Sequence, residues 1–401
     1  MSHNTPLTVL GGISAEQFLA EYWQKKPLLV RQAMPQIADL LVPDDVQSLA
    51  LEENVSARLI KQKDKDPSQW SVKSSPLVKG DFQKLPKHWT LLVQAVEQYS
   101  LEINALWQEL PFIPQWRRDD IMVSYAPAGG SVGQHFDFYD VFLVQGYGHR
   151  RWQLGQMCDE DTAFIEDQPL KLLAEMQVHF DEVLAPGDLL YVPPGLSHYG
   201  VAQDDCLTYS FGCRMPNIAT MLDRISDYCA DTTAFKNPLL DLERQRSTAV
   251  GEITQQELAY LKTNIIEQLQ SSSALDGIIA ALMSEPKYPE NLPEPDELEA
   301  DDLLEIISTG YELMLEPASR LLYAETKCQS AELDNAEQQV HFWGNGEPLS
   351  ICPALTPLLI RLANAESIVF DDAFQADDVL HDLAHLLNES ILMLLPPADQ
   401  R

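Results

Sequence analysis

Basic residues are scarce in this chain of 401 residues. It has 27 lysines and arginines against 61 aspartates and glutamates, which gives a net charge of −34 at pH 7. A protein whose main partner is nucleic acid needs clustered basic side chains to contact phosphates, so the composition argues against direct nucleic-acid binding. It favours a basic protein or peptide as the partner. Acidity that serves only solubility is the alternative, and composition does not decide between the two.

Paired cysteines and long apolar runs are also missing. The six cysteines have no C-x-x-C spacing, which argues against a disulfide framework or a thiolate zinc site. No apolar run approaches the roughly 18–20 residues that cross a bilayer. The first residues, MSHNTPLTVLGG, lack the basic and apolar regions of a signal peptide. We therefore expect a cytoplasmic protein with reduced cysteines and no membrane partner.

The character of the sequence changes along the chain, and its length predicts two or three domains. Short apolar or alternating runs separated by Gly and Pro between residues 119 and 214 predict a small barrel or jelly roll. Residues 217–231 and 254–284 have helical periodicity, and the stretch 284–302, rich in Pro and acid, is typical of a linker. The helices and the hairpin VHFWGNGEPLSI that follow are the content of a winged-helix module.

Two helices are predicted ahead of the strand-rich region. Ser14 stands where it can cap a helix, with Gln17 three residues later, and the strand PLLV follows that helix. Residues 90–110 have the spacing of an amphipathic helix.

One polar pair interrupts the strand pattern. In QHFDF, a strand would place His135 and Asp137 on the same face, so that both side chains can reach one ion. His198 follows the run PGDLLYVPPG, where a strand ends in a turn, and is the best candidate for a third ligand. Two histidines and one carboxylate form the facial triad of non-haem Fe(II) oxygenases, which leaves coordination positions open for a 2-oxo acid and dioxygen.

A cationic residue should accompany such a site. The distal carboxylate of a bound 2-oxoglutarate requires a buried cation, and Arg provides a planar fork of donors. In GHRRWQL, alternation places Arg150 with the inward apolar residues and Arg151 toward solvent. In LTYSFG, the small hydroxyl residues Thr208 and Ser210 share one face and are candidates to line the cofactor cavity.

Other histidines offer rival interpretations. A single H-x-D pair is common in a long sequence and by itself is more often structural, so the prediction depends on its combination with His198 and Arg150. His149 is expected at the surface, and His179, although it begins a second HFD, lacks a partner strand. His381 and His385 have zinc-ligand spacing on a helix, but without the glutamate of H-E-x-x-H they are predicted to belong to a packed amphipathic helix.

Four stretches carry a family resemblance. FLAEYWQKKPLLVRQA, GGSVGQHFDFYDVFLVQGYGHRRWQLG, PGDLLYVPPGLSHYG and YSFGCRMPN resemble the JmjC-type ribosomal oxygenases of the cupin superfamily, most of all the bacterial arginine hydroxylases. The resemblance is strong over residues 1–215 and looser beyond. It implies a mixed α+β fold: a double-stranded β-helix (jelly-roll, cupin) catalytic domain at 1–215, a helical dimerisation region at 216–285 and a winged-helix-like domain at 286–401.

The resemblance also implies an activity. Fe(II) would be held by His135, Asp137 and His198, and the distal carboxylate of 2-oxoglutarate by Arg150, where several relatives have Lys. The implied reaction hydroxylates Cβ of an arginine in large-subunit ribosomal protein sixteen and releases succinate and CO2. Eukaryotic relatives hydroxylate histidines of other ribosomal proteins. The chain departs from the bacterial pattern at Thr208, where Asn is expected.

Two rival functions and one assignment stay open. A histidine hydroxylase would use the same iron site, and a metal-binding cupin without oxygenase activity would keep the ligands but have no use for Arg150. Carboxylates that could hold a substrate guanidinium are Asp119, Asp120 and Asp140, and the sequence does not choose among them.

Overall fold

The structure is a computed structural model that describes residues 5–38, 40–64, 66–231, 233–240, 249, 251–271, 275–295, 297–326, 339–371 and 374–397. It divides into two units, residues 1–215 and 216–401. Strands dominate the first unit, whereas helices and short sheets make up the second.

The first unit contains antiparallel strands and short helices. Its strands are β1 (Leu28–Val30), β2 (Ala57–Lys63), β3 (Asp66–Ser74), β4 (Trp89–Val93), β5 (Arg118–Ala126), β6 (Asp140–Tyr147), β7 (Arg150–Met157), β8 (Phe180–Leu184), β9 (Leu189–Val192), β10 (Leu196–Ala202) and β11 (Cys206–Cys213). Its α-helices are α1 (Ala15–Glu21), α2 (Pro43–Leu49) and α3 (Leu101–Ala105). Its 3-10 helices are Thr8–Leu10, Pro35–Ile37, Lys79–Phe82, Val96–Gln98, Leu106–Glu109 and Gln115–Arg117.

These strands form the predicted jelly roll. One sheet has the order β1-β9-β6-β11-β5-β4-β2-β3, and the other has the order β10-β7-β8. The chain crosses between the two sheets repeatedly from β5 to β11, as in a double-stranded β-helix. A single antiparallel bridge between His135 and His198 extends the smaller sheet beyond β10. The fold class expected for residues 1–215 is confirmed.

The central strands of the larger sheet are buried on both faces. On β11, Leu207, Tyr209 and Phe211 belong to the main core, which also contains Phe18 of α1. On β6 and β7, Leu143 and Trp152 belong to a second apolar cluster between the two sheets. Because side chains alternate along a strand, Thr208 and Ser210 lie on the face of β11 opposite the main core, toward the barrel interior.

The predicted helix at 13–30 and its following strand are confirmed, with different bounds. Ser14 accepts a hydrogen bond at its Oγ from the Gln17 amide (3.2 Å), which caps α1. Phe18 is fully buried, with its ring against those of Phe142 and Tyr191. PLLV contributes β1, which pairs with β9 and so joins the amino-terminal segment to the barrel.

The helix predicted over residues 90–110 is wrong. The first part of this range is β4, which lies between β2 and β5 and is buried at every position. A strand buried on both faces is apolar throughout, so it imitates one face of a helix in sequence. Ala95, with φ of 51°, then turns the chain, and only α3 and its flanking 3-10 turns are helical.

Asp140 lies in the main core and not in the barrel interior. It is fully buried and accepts hydrogen bonds from Gln24 Nε2 (2.9 Å), the Tyr191 hydroxyl (2.6 Å) and Arg117 Nη2 (3.1 Å). Its oxygens are therefore used in joining the segments around Gln24 and Arg117 to the sheet. Of the three carboxylates left open by the sequence, this one has a structural role.

Replacing Asp140 by Ala should destabilise the protein by about 3–5 kcal/mol, because the mostly buried Arg117 guanidinium would lose its counter-charge. Urea unfolding of the metal-free protein measures this loss. Asp181→Ala is the control, since the Asp181 carboxylate pairs with Arg151 at the surface, and it should leave the urea midpoint nearly unchanged. An Asp140→Ala protein as stable as the wild type would contradict the structural role.

The second unit combines helices with two small sheets. Its helices are α4 (Ile218–Asp231), α5 (Thr233–Lys236), α6 (Gln255–Ser271), α7 (Leu275–Ser284), α8 (Ala300–Ile306), α9 (Thr356–Ala363) and α10 (Asp377–Asn388), with 3-10 turns at Pro289–Asn291 and Pro353–Leu355. Its strands are β12 (Glu312–Leu315), β13 (Leu321–Thr326), β14 (Gln339–Gly344), β15 (Glu347–Leu349), β16 (Ile368–Val369) and β17 (Leu392–Leu395). The sheet orders are β16-β12-β17 and β13-β14-β15.

The winged-helix content predicted for the carboxyl-terminal part is confirmed. β14 and β15 form the predicted hairpin, and Asn345 (φ 49°) and Gly346 (φ 92°) have the left-handed backbone that its two-residue turn requires. Helix α10 buries Leu383 and Leu386 in the core of this unit, and His381 and His385 face outward.

The stretch predicted as a linker is attached to the second unit in its described part. The Leu298 amide donates to Asn388 Oδ1 (3.0 Å), and Asn388 Nδ2 donates back to the Leu298 carbonyl (2.9 Å). A segment rich in proline and acidic residues is therefore held here by a side-chain amide. Composition alone wrongly indicated an unattached linker.

The other exclusions concern cysteines and membrane spans. The described cysteines (158, 206, 213, 229 and 352) are all free, and Cys328 lies outside the described residues. Among the helices that the structure describes, none has the length and apolar character to span a bilayer.

Candidate metal centre

The segment that carries His135 and Asp137 is not the regular strand expected from QHFDF. Only His135 forms a bridge: its amide donates to the His198 carbonyl (3.1 Å), and the His198 amide donates back (2.8 Å). Next, the Asp137 carbonyl accepts from the Gly195 amide (2.7 Å). Pro193 and Pro194 precede that glycine and have no N–H to donate, so the ladder cannot continue.

The three predicted ligands nevertheless converge. Their ligand atoms all lie within 4.8 Å of one another, and no other such group of His, Cys, Asp and Glu side chains occurs among the described residues. Asp137 Oδ2 lies 3.9 Å from His135 Nε2 and 3.6 Å from His198 Nε2. His198 is buried, whereas His135 and Asp137 are about one quarter exposed, at 24% and 25% of their side chains. The centre is thus open on one side.

Backbone carbonyls orient both imidazoles. His135 Nδ1 lies 3.0 Å from the Gly133 carbonyl, and His198 Nδ1 lies 3.0 Å from the Leu196 carbonyl. A carbonyl can only accept, so each Nδ1 carries the proton and each Nε2 keeps its lone pair for a metal. Burial, with a smaller contribution from His135, lowers the pKa of His198 to about 4. This imidazole is therefore neutral at pH 7, as a metal ligand must be.

Arg150 and Arg151 point in opposite directions, as predicted. Arg150 is only 3% exposed, and its Nε and Nη2 atoms have no hydrogen-bond partner among the described residues. Its guanidinium lies 5.8 Å from the ring centroid of Trp152. Arg151 is exposed and pairs with Asp181. Burying a charged group with unused donors is costly, so the Arg150 environment fits an anion that the described residues do not provide.

The strand register relates Arg150 to the histidines. On the neighbouring strand, Ala202 pairs with Arg150 and His198 pairs with Leu154. Arg150 and His198 both lie toward the barrel interior. Their positions along β7 are four residues apart, or roughly 13 Å at the rise of a strand. Trp152 lies between them on the same face, opposite Gly200, where an added Cβ would come within 2.7 Å of the indole. An extended dicarboxylate that chelates a metal at the histidines can therefore direct its far end to Arg150.

The two hydroxyl residues differ. Thr208 Oγ1 donates to Gln145 Oε1 (3.0 Å), and Gln145 Nε2 donates to the Tyr147 carbonyl (2.8 Å). The single proton of the Thr208 hydroxyl is therefore used within the barrel wall, whereas Ser210, also buried, has no such bond to Gln145. Sequence reasoning missed Gln145, although an amide within the apolar run VFLVQG was a visible signal.

The remaining carboxylates already have partners. Asp119 Oδ2 pairs with Arg214 Nε (2.9 Å), and the exposed Arg214 guanidinium also lies 5.2 Å from the Tyr139 ring centroid. Asp120 is buried and accepts from the Ala95 amide (3.2 Å). Asp119 is thus the carboxylate of the three whose ion-pair partner is an exposed arginine.

The rival histidines lie elsewhere. His149 pairs with Asp204 at the surface through Nδ1 (2.8 Å), and His179 is exposed immediately before β8. Neither joins a group of metal-ligating side chains in the described part of the chain.

Two protein-family models match the chain, one in each of its two units. Residues 105–221 match the JmjC domain, and residues 267–393 match the ROXA-like winged helix. The chain is 40% identical to a probable ribosomal oxygenase of Haemophilus influenzae, over 91% of this chain and 89% of that protein. It is 29% identical to the ribosomal protein uL16 3-hydroxylase of Escherichia coli, over 92% and 95% of the two chains.

Solved structures match over nearly the whole chain. The Escherichia coli ribosomal oxygenase YcfD in complex with cobalt and 2-oxoglutarate has a TM-score of 0.80, with 27% identity over 94% of this chain and 97% of that one. An X-ray structure of the same protein has a TM-score of 0.81 and covers 96% and 98% of the two chains. The extent of the identity and the presence of both domains show that this chain belongs to the JmjC-domain ribosomal oxygenases.

Proposed function

We propose that this enzyme hydroxylates Cβ of an arginine in large-subunit ribosomal protein uL16. The chain is a JmjC-domain ribosomal oxygenase that depends on Fe(II) and 2-oxoglutarate. The observation that carries the activity is the convergence of His135, Asp137 and His198 in a barrel that also buries the unpaired Arg150.

The chemistry divides between the metal centre and the protein. When bound, Fe(II) with 2-oxoglutarate and dioxygen supplies the oxidation that inserts a hydroxyl into a C–H bond and releases succinate and CO2. His135 and His198 would each offer Nε2, and Asp137 a carboxylate oxygen, on one side of the ion. Arg150 would bind the distal carboxylate of the cosubstrate, and Ser210 has a hydroxyl available on the inward face of β11. Thr208 would act indirectly, by holding Gln145.

Support for the target comes from charge and from the relatives. A chain with a net charge of −34 is suited to a basic ribosomal protein. The name of the Escherichia coli relative specifies uL16 and position 3, which is Cβ of an amino acid. Among the candidate carboxylates, Asp119 could exchange the exposed Arg214 for a substrate guanidinium. Ribosomal proteins are made in the cytoplasm, so this substrate supports a cytoplasmic location for the enzyme.

Mass spectrometry tests the target. The full chain is incubated with Fe(II), 2-oxoglutarate and separate ribosomal proteins, and fragmentation locates any residue that gains one oxygen atom. We expect the gain on one arginine of uL16, and none with Asp137→Ala as the control. A gain on histidine in another ribosomal protein would replace this proposal with the histidine hydroxylase. Absence of succinate formation with every ribosomal protein would favour a metal-binding cupin without activity.

We also propose that residues 216–285 mediate homodimerisation, as a region distinct from the catalytic domain at 1–215 and the winged-helix-like domain at 286–401. Helix α6 exposes Leu258 (41%), Leu261 (44%) and Ile265 (59%), which are three and four residues apart and so share one face. On α4, Ile218 (75%) and Leu222 (54%) are exposed in the same way. Apolar stripes of this kind mark protein interfaces, and a second copy offers a matching surface.

Replacing Ile265 by Glu should convert a dimer to a monomer, because a charge would be buried in the apolar interface. Light scattering after size exclusion gives the mass. Thr263→Glu is the matched control, since position 263 is exposed and lies about 160° away around the helix. A wild-type protein that is monomeric at micromolar concentration, or an Ile265→Glu protein that remains dimeric, would exclude this interface.

A further inference from the structure

One segment reverses the charge of the chain. Residues 58–88 contain eight of the 27 lysines and arginines and three acidic residues, a local net charge of +5. The other 370 residues contain 19 basic and 58 acidic residues. Seven of the eight basic residues in the segment are lysines. Neither the metal centre nor the exposed apolar face of α6 explains this concentration of lysines within an acidic protein.

The fold brings this segment to one end of the larger sheet. The hairpin of β2 and β3 ends the sheet, with β3 at its edge. The connection from β3 to β4 folds back on that hairpin: the Lys87 amide donates to Asp64 Oδ1 (2.7 Å), and Lys61 Nζ donates to the Asp81 carbonyl (3.2 Å). The connection that carries Lys79, Lys84 and Lys87 therefore packs against the lysine-bearing hairpin.

The acidic residues of the segment are used within it. Asp81 binds Lys73 Nζ (2.6 Å) and the Val78 amide (2.8 Å). Asp64 accepts from Lys87, as above, and Asp66 accepts from the Ser68 hydroxyl (2.6 Å). The remaining lysines keep their charge for solvent or a partner: Lys63, Lys79, Lys84 and Lys87 are exposed and form no ion pair with a described residue, and we call these four the basic surface. Lys65 lies outside the described residues.

Protection of a sheet edge accounts for only part of this pattern. Lysines on an edge strand or its hairpin discourage pairing with another sheet, which suffices for Lys63 and Lys73. Lys79, Lys84 and Lys87 lie in the connection beyond β3 and protect no strand edge. Their exposure beside the lysine-bearing hairpin points to a partner that carries repeated negative charge.

We propose that the basic surface binds the phosphate backbone of RNA without sequence preference. Lysine binds phosphate as a point charge, and a contact that only neutralises a backbone, without reading bases, needs no more than that charge. The acidity of the whole chain does not prevent this contact, because the Debye length is about 8 Å at physiological salt, so the local surface governs it. The choice of RNA over DNA rests on the proposed function, because a ribosomal substrate occurs together with RNA. The phosphate contact itself does not depend on that function.

Fluorescence anisotropy of a short, unstructured oligouridine tests the proposal with the full chain and no metal or cosubstrate. We expect binding at about 50 mM salt that weakens steeply by about 200 mM. The quadruple variant Lys63→Gln, Lys79→Gln, Lys84→Gln, Lys87→Gln should bind at least about tenfold more weakly. Its plot of log affinity against log salt should be less steep by about three, since each phosphate contact on a single strand contributes about 0.7.

A second quadruple variant removes the same charge elsewhere: Lys25→Gln, Lys26→Gln, Lys171→Gln, Lys262→Gln. It should bind oligouridine within about twofold of the wild type. Equal weakening by the two variants, or no binding at low salt, would overturn the proposal. So would polyglutamate that binds the basic surface while oligouridine does not, which would indicate an acidic protein as the partner. Thermal melting confirms that both variants are folded.

The two proposals fail separately. Hydroxylation of isolated uL16 contains no RNA, so the basic-surface variant should retain the wild-type rate there. If that reaction is absent in the wild type while oligouridine binding responds to the basic surface, the target assignment fails and the phosphate contact stands.

Discussion

Replacing His135 by Ala should lower hydroxylation more than about 100-fold and leave the protein folded. Loss of residues that merely orient a metal ligand costs about 10–100-fold, and loss of a ligand itself should cost more. The remaining Asp137 and His198 would hold the ion on two sides only. The His135 side chain is partly exposed, so its removal should not disturb the core. Succinate formation with uL16 and calorimetric titration with cobalt measure the two effects.

The control for this substitution is His149→Ala. His149 is also a partly exposed histidine paired with a carboxylate, but it lies at the surface beside Asp204. It should keep the wild-type rate and the wild-type cobalt affinity. If His135→Ala retained more than about a tenth of the rate, the facial arrangement of ligands would be wrong.

Replacing Arg150 by Ala should raise the concentration of 2-oxoglutarate needed for half-saturation by roughly 100-fold. Hydrogen bonds to a charged group are worth about 1.5–3 kcal/mol, and each 1.4 kcal/mol is tenfold in affinity. The buried guanidinium has two donor atoms, Nε and Nη2, with no partner among the described residues, and a carboxylate would satisfy both. Anaerobic binding of 2-oxoglutarate to the cobalt-loaded protein measures the affinity directly.

The neighbouring residue provides a matched control. Arg151→Ala removes the same charge one position along β7, but from the exposed face, where Arg151 pairs with Asp181. It should leave the binding of 2-oxoglutarate unchanged. A 2-oxo acid without the distal carboxylate, such as 2-oxobutanoate, should bind equally to the wild type and to Arg150→Ala. If Arg150→Ala bound 2-oxoglutarate normally, the inward guanidinium would have another role.

Arg150→Lys separates charge from geometry. An ammonium keeps the positive charge but loses the planar pair of donors, so affinity should fall between those of the wild type and Arg150→Ala.

The local pattern of the sequence determined the site more fully than the fold around it. Alternation along GHRRWQL separated Arg150 from Arg151, because neighbouring residues of a strand point to opposite faces. The same rule placed His135 and Asp137 together, although their segment forms only a single bridge and not a strand. Two residues that alternate in extended backbone share a direction whether or not a ladder continues, so this prediction survived a wrong assignment.

Other features could not be predicted, because they depend on segments distant in sequence. Asp140 is adjacent to the metal motif but lies in the main core, where Gln24 and Arg117 meet it. Gln145 and Thr208 bond across 63 positions. The strand β4 imitated a helix because both of its faces are buried by neighbours that arrive from elsewhere in the chain.

The sequence by itself determined the ligand types, their common face and the inward arginine, since these follow from residue identity and the period of a strand. Only the tertiary structure decided which carboxylates are hydrogen-bonded in the core and which hydroxyl already donates to a neighbour. It alone also showed that the lysine-bearing segments pack together. Those properties arise from contacts between segments far apart in the chain, and no local period carries information about them.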